Sequence, residues 1–242
     1  MKQRTQKRQA EMTILEHLDE LRQRLMKAII ALLVGVIIGT FVTRPILQIL
    51  LTPLGDLKPQ AIKPTETISV YFQISIITGL VLAMPFIMYQ LFQYVAPGLE
   101  PHEKRYIIIG APAASVSFAA GVFFAATVLL RNAIPFLTNI LSDIIEQKPT
   151  IENYINFVGS VLLWVGVVFE TPLVMYILAK LGVVTYKGYI RVWRVVVIGA
   201  AVGAAIITPT VDPINMMLVM GPFLLLYGLG IFLAWLARPK AD

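Results

Sequence analysis

Residues 153–179 read NYINFVGSVLLWVGVVFETPLVMYILA. Glu170 is the one charge in these 27 residues, and the next charges, Glu152 and Lys180, stand just outside the run or at its edge. A run this long and apolar is enough to cross a hydrocarbon layer about 30 Å thick as a helix. At about 1.5 Å of rise per residue, Glu170 falls roughly 15 Å from Lys180 and roughly 27 Å from Glu152, near the middle of such a layer. A carboxylate there is costly, so the first reading is a functional group facing a protein interior or a wet cavity. The second reading is a glutamate tied to the kink of Pro172, with its carboxyl snorkelling toward the interface.

The rest of the chain extends this reading. Of 242 residues, 57% are hydrophobic and 14% charged, and the mean hydropathy is +0.77. Those values exclude an ordinary soluble domain and point to an all-α, polytopic integral membrane protein forming one membrane domain over 1–242. With no cysteine, disulfides, thiolate metal sites and cysteine nucleophiles are excluded. The net charge of +6 is of the kind that basic cytoplasmic loops produce, so no nucleic acid is implied. The apolar run after Lys27 ends in Val42-Thr43-Arg44-Pro45, which lacks the small-residue cleavage pattern of a signal peptide.

Charge-sparse runs place six transmembrane helices at about 28–43, 67–99, 106–130, 153–179, 195–211 and 213–237. Pro85 predicts a kink or tilt in the second. Six crossings put both termini on one side. That side carries fifteen of the twenty Lys and Arg residues, so the positive-inside rule makes both termini cytoplasmic. Trp193 and Trp235 fall near the cytoplasmic ends of spans five and six as interfacial anchors, and Trp164 reads as a packing residue. The turn from Thr208 to Pro213 is short and predicts that spans five and six are close antiparallel neighbours. The outer connection 131–152 carries apolar residues at helical spacing and predicts an amphipathic cap.

Residues 1–12 are expected to fray. Thr13-Ile-Leu-Glu16 is a capping box, and Ile14, Leu18, Leu21 and Leu25 recur at helical spacing, so 13–27 reads as an amphipathic helix leading into span one. That helix is either a solvated surface helix or a carrier of functional charge. In Pro97-Gly-Leu-Glu-Pro-His-Glu103-Lys-Arg105, Glu103 falls in the first turn of the next helix. There it either complements the helix dipole or presents a carboxylate to a basic ligand. Nucleotide-binding, zinc-protease and serine-hydrolase motifs are absent, and His17 and His102, the two histidines, do not make a metal site. No enzyme activity and no cofactor is expected.

Several segments, taken together in order and spacing, resemble the twin-arginine protein translocase subunit family TatC. They are His17-Leu-Asp-Glu-Leu-Arg-Gln-Arg-Leu25, Pro64-Thr-Glu66, Pro85-Phe-Ile-Met-Tyr-Gln90, Pro97-Gly-Leu99, His102-Glu-Lys-Arg105, Phe169-Glu-Thr-Pro172, and Thr208-Pro209 with Asp212. The resemblance runs from about residue 13 to residue 237. It implies a glove-shaped, concave receptor in the bacterial plasma membrane that binds twin-arginine signal peptides of folded cargo. It further implies assembly with single-span TatA/TatB-type partners, self-association in a larger complex, and export driven by the proton-motive force. Carried over by motif, the resemblance nominates Glu20, Arg22, Tyr94 and Glu103 for the signal peptide. It nominates Glu170 and Thr208 for an intramembrane polar site and partner helix, and Pro53 and Asp212 for the outer cap and turn. Met216 departs from the family, standing where relatives carry a glutamine that receives a partner helix. The rival reading is a proton-coupled solute transporter using Glu170. It lacks both the several buried ionisable groups of a proton relay and an inverted repeat. The lack of a transit-like extension favours a bacterial plasma membrane over a thylakoid.

Overall fold

The computed structural model describes residues 14–55, 57–95, 105–139, 148–207 and 213–237. Among them the regular structure is helical, and the β contact is a single bridge between Gln60 and Thr150. The helices are α1 (Ile14–Leu51), α2 (Pro64–Val95), α3 (Arg105–Phe124), α4 (Leu130–Asn139), α5 (Ile151–Phe169), α6 (Thr171–Lys180), α7 (Tyr186–Arg191), α8 (Trp193–Ile207) and α9 (Pro213–Leu236). Among the described residues, five stretches are long and apolar enough to cross a membrane: Leu15–Leu54, Pro64–Tyr94, Ile109–Asn139, Ile151–Lys180 and Val219–Leu236. The sixth, Trp193–Ile206, is apolar but shorter. Large apolar side chains point outward all along these rods, among them Phe41, Ile206 and Leu225, as they do on a surface solvated by lipid.

Three expected boundaries move. Amphipathic arm and first span form one unbroken helix of 38 residues, which runs through Pro45 to Leu51. Pro45 removes one rung of the ladder, which membrane helices tolerate, and Ile46, Leu47 and Leu50 beyond it are anchored against the main core. Pro85 likewise lies inside a continuous α2. The expected outer cap begins instead as a continuation of span three, because a single π turn, Ala125–Leu129, joins α3 to α4. Residues 140–147 of that cap lie outside the described residues.

α1 and α2 pack as an antiparallel pair along a seam of small residues. A Cβ on Gly39 would lie 2.5 Å from the Ser75 carbonyl oxygen, and one on Gly79 would lie 2.5 Å from the Val36 amide nitrogen, so the two backbones touch. The hydroxyls of Thr43 and Ser75, both buried, meet across the seam at 2.8 Å. The pairing continues from Tyr71, whose hydroxyl donates to the Thr40 carbonyl at one end, to Arg24 and Gln90 at the other.

At the end opposite the arm, two loops are stapled together. The Gln60 amide donates to the Pro149 carbonyl and the Ile151 amide donates to the Gln60 carbonyl, each at 2.9 Å. Glu66 is buried and accepts from the amides of Ile62 and Lys63 at 3.1 and 3.2 Å, which fixes the start of α2. The Tyr154 hydroxyl, 2.6 Å from the Leu50 carbonyl, ties α5 to the end of α1. Behind these contacts lies the core built by Ile74, Leu130, Ile155 and Val158. The last helix, α9, packs most extensively on α6 and less on α8, its expected close neighbour. Trp164 corrects another expectation: it is 52% exposed and lines an open groove between α2 and α5.

Candidate functional site

The arm docks on α2 by its polar stripe. His17, Glu20 and Arg24 recur at i, i+3 and i+7 and are half-buried, whereas Leu15, Leu18 and Leu25 point outward at 78%, 54% and 56% exposure. Because α1 continues rigidly from the glycine seam, the stripe is laid along the last turns of α2. The His17 ring stacks on the Tyr94 ring with centroids 4.4 Å apart and an interplanar angle of 18°. Arg24 donates to Glu20 Oε1 from Nη2 at 3.1 Å and from Nε at 3.4 Å, and it donates to Gln90 Oε1 from Nη1 at 3.3 Å. Glu20 Oε2 is buried and has no hydrogen-bond partner among the described residues. A carboxylate oxygen in that condition lacks a donor, and its natural complement is a cationic N–H.

Of the four residues nominated for a signal peptide, the structure brings Glu20 and Tyr94 onto one face. It leaves Arg22 exposed on another. Glu103 lies outside the described residues. Sequence reading passed over His17, Arg24 and Gln90 as parts of this site. The spacing of His17, Glu20 and Arg24 was a signal, but the leucine stripe beside it is the louder pattern.

The second site is the junction of α5 and α6. Glu170 itself separates the two helices, with φ −71° and ψ −20°, and Pro172 stands in the first turn of the second. A proline there cannot donate its missing N–H, so the ladder is interrupted. The Glu170 amide turns back to the Val167 carbonyl at 3.0 Å, and the Ser117 hydroxyl of α3 donates to the Phe169 carbonyl at 2.6 Å. The Phe118 ring fills the notch at Gly166, where a Cβ would lie 2.6 Å from its Cε2. Glu170 is 6% exposed, and both of its carboxyl oxygens are buried without a hydrogen-bond partner among the described residues. The side chain therefore does not snorkel. Beside the junction runs an open groove of about 470 Å³, lined by Ser117, Phe169, Pro172, Tyr176, Leu229 and Leu233. Thr208, nominated with Glu170, lies outside the described residues.

Of the outer pair, Pro53 sits in a short 3-10 turn, Thr52–Leu54, which contacts α4, and Asp212 lies outside the described residues. No group of three or more potential metal ligands occurs among the described residues.

A rod-like bundle with lipid-facing sides, a carboxylate at one end and another at mid-depth defines a membrane-embedded receptor or carrier rather than a soluble binding module. Comparison with known proteins narrows the class to a protein translocase component. Residues 16–222 match the family model described as Sec-independent protein translocase protein (TatC). The chain is 36% identical over 231 residues to TatC of Carboxydothermus hydrogenoformans, covering 95% of each chain. It is 35% identical over 233 residues to TatC of Deinococcus radiodurans, covering 93% of this chain and 86% of that one. It superposes on a crystal structure of the twin arginine translocase receptor TatC with a TM-score of 0.82 at 34% identity, covering 92% of this chain and 99% of the other. The chain belongs to the TatC family of Sec-independent protein translocases.

Proposed function

We infer that this protein is the receptor and core subunit of a twin-arginine translocase in a bacterial plasma membrane, with both termini in the cytoplasm. It binds twin-arginine signal peptides of folded cargo and organises single-span TatA/TatB-type subunits for export driven by the proton-motive force. In this reading the bundle is a glove whose arm end faces the cytoplasm, because the sequence segments assigned to that side carry fifteen of the twenty basic residues.

The observation that supports the reading is the buried oxygen of Glu20 at the arm end, which has no hydrogen-bond partner among the described residues. Arginine pairs with carboxylates by directional, charge-assisted hydrogen bonds, so an acceptor lacking a donor suits a ligand led by two guanidinium groups. Tyr94 supplies an aromatic wall beside it, Arg22 and Glu103 complete the cytoplasmic surface, and several copies associate in the working complex. Glu170 and Thr208 form the polar site that receives a partner helix or the inserted signal peptide. Pro53 and Asp212 hold the outer cap and turn. The test is site-specific photocrosslinking of a twin-arginine peptide to full-length protein carrying a probe at Tyr94 or at Phe169. Crosslinks at Tyr94 that vanish when the two arginines become alanines are expected. Equal labelling by both peptides would refute the assignment.

A further inference from the structure

The connection from α6 to α8 carries Lys180, Lys187, Arg191 and Arg194, and the sequence has no Asp or Glu from Thr171 to Val211. Basic loops beside a membrane are ordinary. The arm, by contrast, interleaves its basic residues with Glu16, Asp19 and Glu20. Lys180 stands in the last turn of α6, where a cation complements the helix dipole and needs no other role. The other three are exposed and have no carboxylate partner among the described residues.

The segment that carries them is held in place. The Thr185 hydroxyl oxygen caps α7, accepting from the Gly188 amide at 3.3 Å. Tyr186 and Tyr189 pack against the small core of Ala179, Ala234 and Ala237. The Tyr227 hydroxyl of α9 donates to the Tyr189 carbonyl at 2.8 Å, and the Tyr189 hydroxyl donates to the Met175 carbonyl at 3.4 Å. With the tyrosines turned inward, Lys187, Ile190 and Arg191 are left exposed at i, i+3 and i+4. The chain enters α8 at Val192, whose carbonyl accepts from the amides of Val195 and Val196. Just beyond it the Arg194 guanidinium lies 5.9 Å from the centroid of the Trp193 ring. Between these cations Ile190, Val192 and Trp193 are 48%, 44% and 51% exposed.

We propose that this face of α7 and the start of α8 bind the phosphate of an anionic phospholipid. The segment joins the membrane-crossing stretch Ile151–Lys180 to the apolar helix Trp193–Ile206, which sets it at the level of the headgroups. Arg191 and Arg194 bind the phosphate oxygens by directional hydrogen bonds, and Lys187 adds a point charge. Ile190, Val192 and Trp193 rest on the glycerol and the upper acyl chains. A free phosphate would use the cations and leave the apolar side chains in water, so the lipid is the better complement. The site concerns the membrane surface and stands apart from the signal-peptide reading of Glu20.

Trp193 reports on it. In full-length protein carrying Trp164→Phe and Trp235→Phe, Trp193 fluorescence is measured in phosphatidylcholine nanodiscs containing a minor share of brominated phosphatidylglycerol or of brominated phosphatidylcholine. Quenching gives the relative occupancy of the site by the two lipids. A preference for phosphatidylglycerol of at least about tenfold is expected. Arg191→Gln should lower it about fivefold, and Lys187→Gln, Arg191→Gln and Arg194→Gln together should abolish it. Arg191→Lys keeps the charge and should retain most of it. Tyr227→Phe alters no charge but releases α7 from α9, and should lower the preference at least about twofold, since binding depends on how the cations are placed. Equal quenching by the two lipids, or a preference that survives the triple substitution, would overturn the proposal. So would a preference unmoved by Tyr227→Phe, which would leave only a diffuse attraction of basic residues. Should the triple variant fail to fold, Arg191→Gln set against Arg191→Lys decides alone.

Discussion

Glu20 and Glu170 are both carboxylates with buried oxygens that lack a partner among the described residues, yet they are built differently. Glu20 lies near the end of the bundle and carries a counter-ion one helical turn away, with one oxygen paired and the other buried without a partner among the described residues. Glu170 lies inside the apolar stretch Ile151–Lys180, carries no ion pair among the described residues, and has both oxygens buried without a partner among them. Their supports differ as well. Glu20 is placed by two helices meeting along a seam, whereas Glu170 is placed by a break within one span. Near water a resident arginine can be hydrated when it is displaced. Deep in an apolar span a second charge would add its own cost of burial, so a single polar group is the less costly arrangement. In the proposed function the first arrangement serves an incoming cation, and the second serves docking of a polar group inside the membrane.

The comparison breaks most visibly at the seam. Gly79→Leu forces a side chain into the Val36 backbone, where a Cβ alone would lie 2.5 Å from the amide nitrogen. Backbone cannot yield as a flexible side chain can, so the cost should reach or exceed about 3 kcal/mol. Twin-arginine peptide binding and export should both be lost, and the arm should become sensitive to protease. Retention of peptide affinity by a well-expressed Gly79→Leu protein would show that the Glu20 site does not depend on the pairing of α1 with α2.

A smaller and more selective effect is expected at Glu170. On the docking role proposed for Glu170, Glu170→Ala should lower export at least about tenfold, while twin-arginine peptide affinity stays within about twofold, because sites without shared contacts act nearly independently. Glu170→Gln keeps shape and hydrogen-bonding capacity and should preserve much of the export. Export rates and peptide affinities measured on the same membranes decide the matter. A parallel fall of both quantities in Glu170→Ala would merge the two sites into one.

Much of this architecture was legible in single residues. The apolar run at 153–179 with its lone glutamate already located a break at mid-depth, because Pro172 and the carboxylate stand together. Helix ends were less legible. Charge marks where a chain leaves hydrocarbon, but α1 continues past Arg44 to Leu51 because backbone hydrogen bonds, not charge, hold a helix together. The π turn after Phe124 left no pattern in the residues, so the continuation into α4 was read as a separate cap. Trp164 was assigned to packing on depth alone, and its exposure follows from which way the helix is rotated, a property of tertiary contacts. The face on which the arm docks was not legible for a related reason. Its leucine stripe predicts a buried face in water, but beside a bilayer apolar residues can face outward while the polar stripe seeks a protein partner. The contact between Arg24 and Gln90 joins residues 66 apart in sequence, and no local pattern announces it.

The smallest expected effect sharpens the account of the break. Ser117 donates to the Phe169 carbonyl at 2.6 Å, and it reaches there from α3, so it braces the junction without touching the Glu170 carboxyl. Hydrogen bonds between membrane helices contribute about 0.6 kcal/mol on average. Ser117→Ala should therefore lower stability by roughly that amount in a denaturant titration in mixed micelles, with export nearly unchanged. Ser117→Val, which is one methyl larger and also lacks the donor, should lose the same bond, since the carbonyl loses its partner in both. If either variant reduced export as much as Glu170→Ala does, the geometry of the junction rather than the carboxylate would be the functional element, and the contrast between the two sites would have to be redrawn around the kink.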